Sequence, residues 1–158
     1  MRSLRAVSIA VLLVVSSLPV AGCRGTTDPE RELRELLRGA EAAVEAKDFG
    51  ALRPLLSERY SDAEGNDRRR VEAVLRVWLL RHGEIYLVTR VQDLRFPAAD
   101  RAQVVLLVAM AGERIADSAD LAGLRGDLYR FDLDFAAERG DWRLARAAWR
   151  PMEPEDLL

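Results

Sequence analysis

Leu128-Tyr129-Arg130-Phe131-Asp132-Leu133-Asp134-Phe135-Ala136 alternates apolar and charged side chains, and Arg139-Gly140 then leads into a second apolar-rich run from Trp142 to Trp149. Successive side chains of a strand point to opposite faces, so Tyr129, Phe131, Leu133 and Phe135 share one side and Arg130, Asp132 and Asp134 the other. A strand covered on one face and wet on the other belongs to an antiparallel sheet. Arg139-Gly140 predicts a tight hairpin turn. Upstream, Glu84 to Phe96 and Arg101 to Met110 are rich in Val, Leu and Ile, with Pro97 to Asp100 turning between them. Before Gly83 the period is helical. Asp28-Pro29-Glu30 opens a first helix with Leu33, Leu36, Leu37, Ala40, Ala43 and Val44 on one stripe to about Lys47. Asp48 caps a short second helix containing Leu52, Leu55 and Leu56, with Pro54 confined to its first turns. Asp67 caps a third, with Val71, Val74, Leu75, Trp78 and Leu79 on one face, closed by His82 and Gly83. The connector from Glu58 to Asp67 is polar, with room for a short strand at Arg59-Tyr60-Ser61. Helices first and strands afterwards predict an α+β domain: three N-terminal helices packed on an antiparallel sheet of about four main strands.

The chain has 158 residues, 49% apolar and 32% charged, a balance that excludes a disordered or collagen-like protein. Residues 1–22 read as an export leader. Arg2 and Arg5 precede a charge-free stretch from Ala6 to Gly22, seventeen residues against the ~20 that cross a bilayer. Without the leader 22 basic and 26 acidic side chains remain, a net −4, which disfavours nucleic acid as a partner. Val20-Ala21-Gly22-Cys23 resembles the lipobox of bacterial lipoproteins, in which the leader is cut between Gly22 and Cys23 and the cysteine carries diacylglycerol. Several acyl chains on one residue hold a protein on a membrane far more firmly than a single chain does. The lipidated Cys23 and a short tether occupy 23–28, the domain 29–151 and a tail 152–158. Arg24, rather than aspartate, follows the cysteine, which by resemblance places the protein on the outer membrane, facing the periplasm. Cys23 is the sole cysteine, so no intramolecular disulfide is available.

Phe49-Gly50-Ala51-Leu52, Leu55-Leu56-Ser57, Tyr60 and Asp62, then a capped helix ending in Arg81-His82-Gly83, resemble the nuclear transport factor 2-like superfamily. The hairpin from Tyr129-Arg130-Phe131 through Gly140-Asp141-Trp142 to Trp149 is similar to its last two strands. The resemblance implies a cystatin-like cone, a strongly curved sheet wrapped around helices with a pocket at the open end. The superfamily includes isomerases, dehydratases and non-enzymatic binding modules, so the fold licenses no reaction.

Candidate chemistry is sparse. His82 is the single histidine, which leaves no His-based triad or multi-histidine zinc site, and neither a phosphate loop nor a nucleophile elbow is present. No cofactor or metal is expected. Asp62, Glu64 and Asn66 alternate oxygen donors, but a calcium loop of the EF-hand kind needs glycine sixth and glutamate twelfth, where Asp67 and Ala73 stand. Arg68-Arg69-Arg70 follows Asp62, Glu64 and Asp67 and reads as a balanced, solvated face, with an anionic-lipid contact as the minor alternative.

The candidate pocket set is Tyr60, Asp62, Arg90, Tyr129 and Arg146. If Tyr86, Val88, Leu94 and Phe96 share the inner face, period two puts Arg90 there as well. A bulge near Gln92 instead turns Ile85, Leu87, Thr89 and Val91 inward before Leu94 and Phe96 take over. Pairing Glu138 with Asp141 sets Leu133 opposite Arg146, beside Trp142 and Leu144; a three-residue turn puts Ala145, Ala147 and Trp149 inward. Both choices are open, and an inward guanidinium requires a partner. Ketosteroid isomerases of this superfamily use a tyrosine donor with two aspartates. Tyr60 and Asp62 do not match that motif position by position, and the acids Asp132 and Asp134 lie on the outer face, beside Arg130 and Arg143. Residues 111–126 form a connection long for a hairpin.

The sequence therefore points to a non-catalytic, lipid-anchored domain. It binds a small apolar ligand in the cone or a protein partner, such as a second copy, on an outer face carrying Arg130, Asp132, Asp134, Arg143 and Trp149. The alternative is a pocket enzyme performing isomerase- or lyase-type proton transfer. Intact-mass analysis of membrane-extracted protein is expected to show a chain starting at Cys23 with diacylglycerol attached; a retained leader or a free thiol there overturns the processing.

Overall fold

The computed structural model describes residues 28–111 and 127–152. The leader at 1–22, Cys23 and its tether up to Thr27, the 112–126 portion of the long connection and the tail beyond Met152 lie outside the described residues.

Each helix begins where a capping aspartate stands. In α1 (Pro29–Glu45) the Asp28 side chain accepts from the Glu30 N–H. In α2 (Phe49–Leu52) Asp48 accepts from Ala51 N–H, and in α3 (Arg68–Arg81) Asp67 accepts from Arg70 N–H. These bonds satisfy amide donors that have no partner inside the helix. Pro54 sits in a 3₁₀ turn, Arg53–Leu55, directly after α2. Short α2 is held to α3 by the Arg76 guanidinium 4.5 Å above the Phe49 ring.

The strands are β1 (Leu56–Asp62), β2 (Tyr86–Ala98), β3 (Arg101–Ala111), β4 (Asp127–Glu138) and β5 (Asp141–Pro151). They form one curved sheet in the order β1-β5-β4-β3-β2. This corrects the expected four-stranded antiparallel sheet and the order of helices before strands. The polar connector hides a full edge strand, β1, between α2 and α3, and it pairs in parallel with β5. The sequence suggests only a short strand at Arg59-Tyr60-Ser61, because two adjacent exposed residues, Glu58 and Arg59, interrupt the alternation of Leu56–Asp62.

Arg139 and Gly140 both have positive φ, 56° and 95°, and Glu138 faces Asp141 across a two-residue turn. This is the mirror-image turn that matches strand twist. Two single-residue bulges then set the inner face. Gln92 has no partner between Val91↔Leu106 and Asp93↔Val105. Ala145 has none between Phe135↔Leu144 and Asp134↔Arg146. Each extra residue reverses the side-chain parity beyond it and bends the strand.

Two apolar clusters close the interior. Leu33, Leu56, Tyr60, Val104, Phe135 and Trp142 belong to one; Ala43, Leu52, Leu79 and Ile85 form the other. α1 contributes to both, through Leu33 and Ala43, ten residues and ~15 Å apart along the helix. Fully buried Ser57 donates to Glu138 at 2.6 Å and accepts from Arg59 N–H, so β1 is tied to the β4–β5 turn. Arg143 adds a second tie by donating to the Pro54 carbonyl.

Leu33 has no exposed surface, so Leu33→Ala is expected to cost ~2–5 kcal/mol in urea denaturation. Leu80→Ala, at a residue 80% exposed, should stay within ~0.5 kcal/mol, and equal effects at the two sites would contradict the assigned core.

Candidate functional site

Between the two clusters the helices and the inner sheet face do not meet, and a cavity of about 480 Å³ remains. α1 supplies Leu37, Ala40 and Val44, α3 supplies Leu75 and Trp78, and β3 and β4 supply alternate residues such as Val108 and Phe131. Val74 and Trp149 also line it while being 49% and 38% exposed, so they mark where its wall reaches solvent. Phe131 packs between Tyr129 and Trp149, with ring centroids 6.2 and 6.3 Å away.

Polar side chains on this wall are few: the hydroxyls of Tyr60, Thr89 and Tyr129, the indoles of Trp78 and Trp149 with one N–H each, and the carboxylate of Glu41. Thr89 Oγ1 donates to Glu41 Oε2 at 2.7 Å, joining β2 to α1. One turn further along α1, Glu45 accepts from the Leu87 N–H at 2.8 Å. Tyr60 is only 5% exposed; burial first, and then the nearby Asp62 carboxylate, push its pKa well above the ordinary phenol value.

The five sequence candidates separate into two groups. Tyr60 and Tyr129 share the cavity wall. Asp62 is buried but turned into its own loop: Oδ1 accepts from the N–H groups of Glu64 and Asn66 at 3.0 and 2.8 Å, and Oδ2 from the Asn66 side-chain amide at 2.9 Å. A carboxylate so engaged is a turn former. Arg90 lies exposed on the outer face opposite Leu107, because the bulge at Gln92 turns Leu87, Thr89 and Val91 inward. Arg146 lies exposed on the outer face opposite Asp134. Here the two-residue turn sets Trp142 and Leu144 inward, and the bulge at Ala145 then brings Ala147 and Trp149 inward as well.

That bulge also removes Trp149 from the outer face expected to carry it. On that face Arg130 pairs with Asp132 at 2.9 Å, as the sequence suggests, while Asp134 accepts from Gln103 at 3.0 Å. Arg143 reaches Pro54, Asp141 and Glu138 instead. Within the arginine run, Arg68 pairs with Glu72 at 2.8 Å and with Glu58 rather than with Asp62, Glu64 or Asp67. His82 lies beyond the end of α3, its Nδ1 2.8 Å from the Trp78 carbonyl and its ring 4.2 Å from the Trp78 indole. Among the described residues, no group of three or more His, Cys, Asp or Glu is placed to hold a metal ion.

Sequence reasoning missed Glu41, and it placed Thr89 inward only in the bulged alternative, with no role in the site. The signal was present: Leu37, Glu41 and Val44 are spaced i, i+4, i+7, which puts the carboxylate on the apolar stripe of α1.

No family model matches the sequence, and no curated protein does. Solved structures do. An uncharacterised cystatin-like-fold protein from Caulobacter vibrioides superposes with a TM-score of 0.65 at 12% identity, covering 81% of this chain and 92% of that one. Hexachlorocyclohexane dehydrochlorinase LinA-type3 from Novosphingobium barchaimii gives 0.60 at 14% identity, covering 78% and 86%. Bd1075 of Bdellovibrio bacteriovorus gives 0.63 at 11% identity over 78% of this chain, which spans only 41% of that longer one. Other matches bear the nuclear transport factor 2-like name. The chain thus has the α+β nuclear transport factor 2-like, cystatin-like fold, and the likeness extends to the fold alone.

A raised Tyr60 pKa has a defined pH signature. Above about pH 10, where an unfolded tyrosine ionises, the folded state retains a proton that the unfolded state loses. The stabilisation from Tyr60 is therefore complete below pH 10 and is lost progressively above it. Urea unfolding from pH 8 to 11 should show this alkaline decline, and Tyr60→Phe should flatten it; an unchanged slope would place the phenol in solvent.

Proposed function

We propose that this protein is a lipoprotein of the bacterial envelope whose domain binds one small, largely apolar molecule in the cavity between α1, α3 and the sheet. The observation that carries this reading is the cavity itself. It is about 480 Å³, within the ~300–1,000 Å³ of small-molecule sites, and its wall is largely apolar, with Glu41 its single charged residue. Lipidation at Cys23 and an outer-membrane, periplasm-facing position complete the proposal, supported by Val20-Ala21-Gly22-Cys23 and by Arg24 after it. An anchor of that kind would keep the cavity near a bilayer, where apolar molecules concentrate.

The second reading is a proton-transfer enzyme, and Glu41 on the cavity wall is the observation in its favour. Such chemistry would have to pass through Glu41 rather than Asp62, whose oxygens already accept from Glu64 and Asn66.

Native mass spectrometry of the processed protein, purified from membranes, is expected to show a bound molecule that gas-phase activation releases. Ala40→Trp, which places an indole into the cavity from α1, should abolish most of that adduct. An adduct unaffected by Ala40→Trp sinks the ligand-binding reading. A recovered molecule that the purified protein converts to another compound moves the assignment to the enzyme.

A further inference from the structure

We infer that the cavity ligand carries a cationic, hydrogen-bond-donating head, an ammonium on an apolar body, and that the Glu41 carboxylate receives it. This rests on the ligand-binding reading proposed above and assigns the chemical class of that ligand.

Every wall residue but one is uncharged. Glu41 is the exception, and it sits among Leu37, Ala40 and Val44 on the cavity side of α1. Thr89 donates to Oε2, which fixes the carboxylate against β2, and among the described residues no side chain donates to Oε1. No arginine, lysine or histidine forms an ion pair with Glu41 among the described residues. The helix's own ion pair, Arg34 with Glu30, lies two turns away at its exposed N-terminal end. Glu41 is partly buried, and a carboxylate at the edge of an apolar space binds most strongly a group that brings an opposite charge and donors, as an ammonium does.

The other wall groups agree with that polarity. Tyr60, Tyr129 and Thr89 bring hydroxyls and no positive charge. A fatty-acid carboxylate in this cavity would meet Glu41 as a like charge with no arginine or lysine on the wall to offset it. The pair also joins two of the elements that enclose the cavity, so a head group bound there is read by α1 and β2 together while the apolar body lies against Val108 and Phe131.

The experiment uses three probes of equal chain length, decylamine, decanol and decanoate, at equal concentration. They are added to the processed full chain, and bound fractions are read by native mass spectrometry after ejection from a non-ionic detergent micelle. Decylamine is expected to bind about tenfold more tightly than decanoate, a difference of about 1.4 kcal/mol. In Glu41→Gln this preference should vanish while decanol binding persists, which shows that the cavity is intact. Decanoate binding as well as or better than decylamine to the unaltered protein overturns the inference and leaves apolar binding standing, whatever the variant does. An amine preference that survives in Glu41→Gln removes Glu41 from the role. If none of the three probes binds, the ligand-binding reading fails, and this inference fails with it.

Discussion

The parity of the strands is the constraint on which the rest of the molecule depends. A sheet with one covered face must keep every inward position apolar along its whole length, and strict period two would not do so here. Continued without interruption, β2 would carry Arg90 inward with Val88, and β5 would carry Arg146 inward with Leu144. One unpaired residue in each strand, Gln92 and Ala145, reverses the alternation at the place where the charged residue would otherwise be buried. Both guanidinium groups then reach water, and the strands acquire the bend that lets the sheet wrap around the helices.

The cavity follows from the same geometry. α1 is one continuous helix set against a bent sheet, and it joins the interior at Leu33 and again at Ala43, in separate clusters. Between those contacts Leu36, Leu37, Ala40 and Glu41 line the cavity. Such a gap is stable when a molecule fills it or when its rim admits water, and it is unlike the close packing of an ordinary core. Glu41 and Thr89 bridge the gap at one side by a hydrogen bond rather than by packing.

Much of this was legible in the sequence. All three capping aspartates, the helix they open, the β4 alternation and the Arg139-Gly140 turn follow from local rules, because caps and tight turns are decided by adjacent residues. Two features escaped for one reason: they depend on partners far away in the chain. β1 is an edge strand whose solvent-facing side carries Glu58 and Arg59, and it becomes a strand by pairing with β5. The bulge at Ala145 is fixed by what β4 presents, and it moves Trp149 from the outer face to the cavity wall. Asp62 is a local matter instead: its spacing to Tyr60 makes it a pocket candidate in the sequence, but the N–H groups of Glu64 and Asn66, two and four residues on, occupy its Oδ1. Within the candidate site, the two tyrosines were found and the two arginines were excluded by the bulges, while Glu41 was hidden by being an acid on a helix otherwise read for its leucines.

The parallel pairing of β1 with β5 also bears on how the molecule comes together. Leu56 and Leu144 are partners although more than half the chain separates them, whereas β2, β3, β4 and β5 each lie beside their sequence neighbour. Contacts of that long reach form late, because closing a large loop costs chain entropy before any contact repays it. The meander of four strands can assemble first; Tyr60, arriving with the edge strand, completes the vessel only after the final strand has left the ribosome. A chain whose fifth strand is not yet made is thus an open vessel, for Leu144, Ala147 and Trp149 supply one side of its wall.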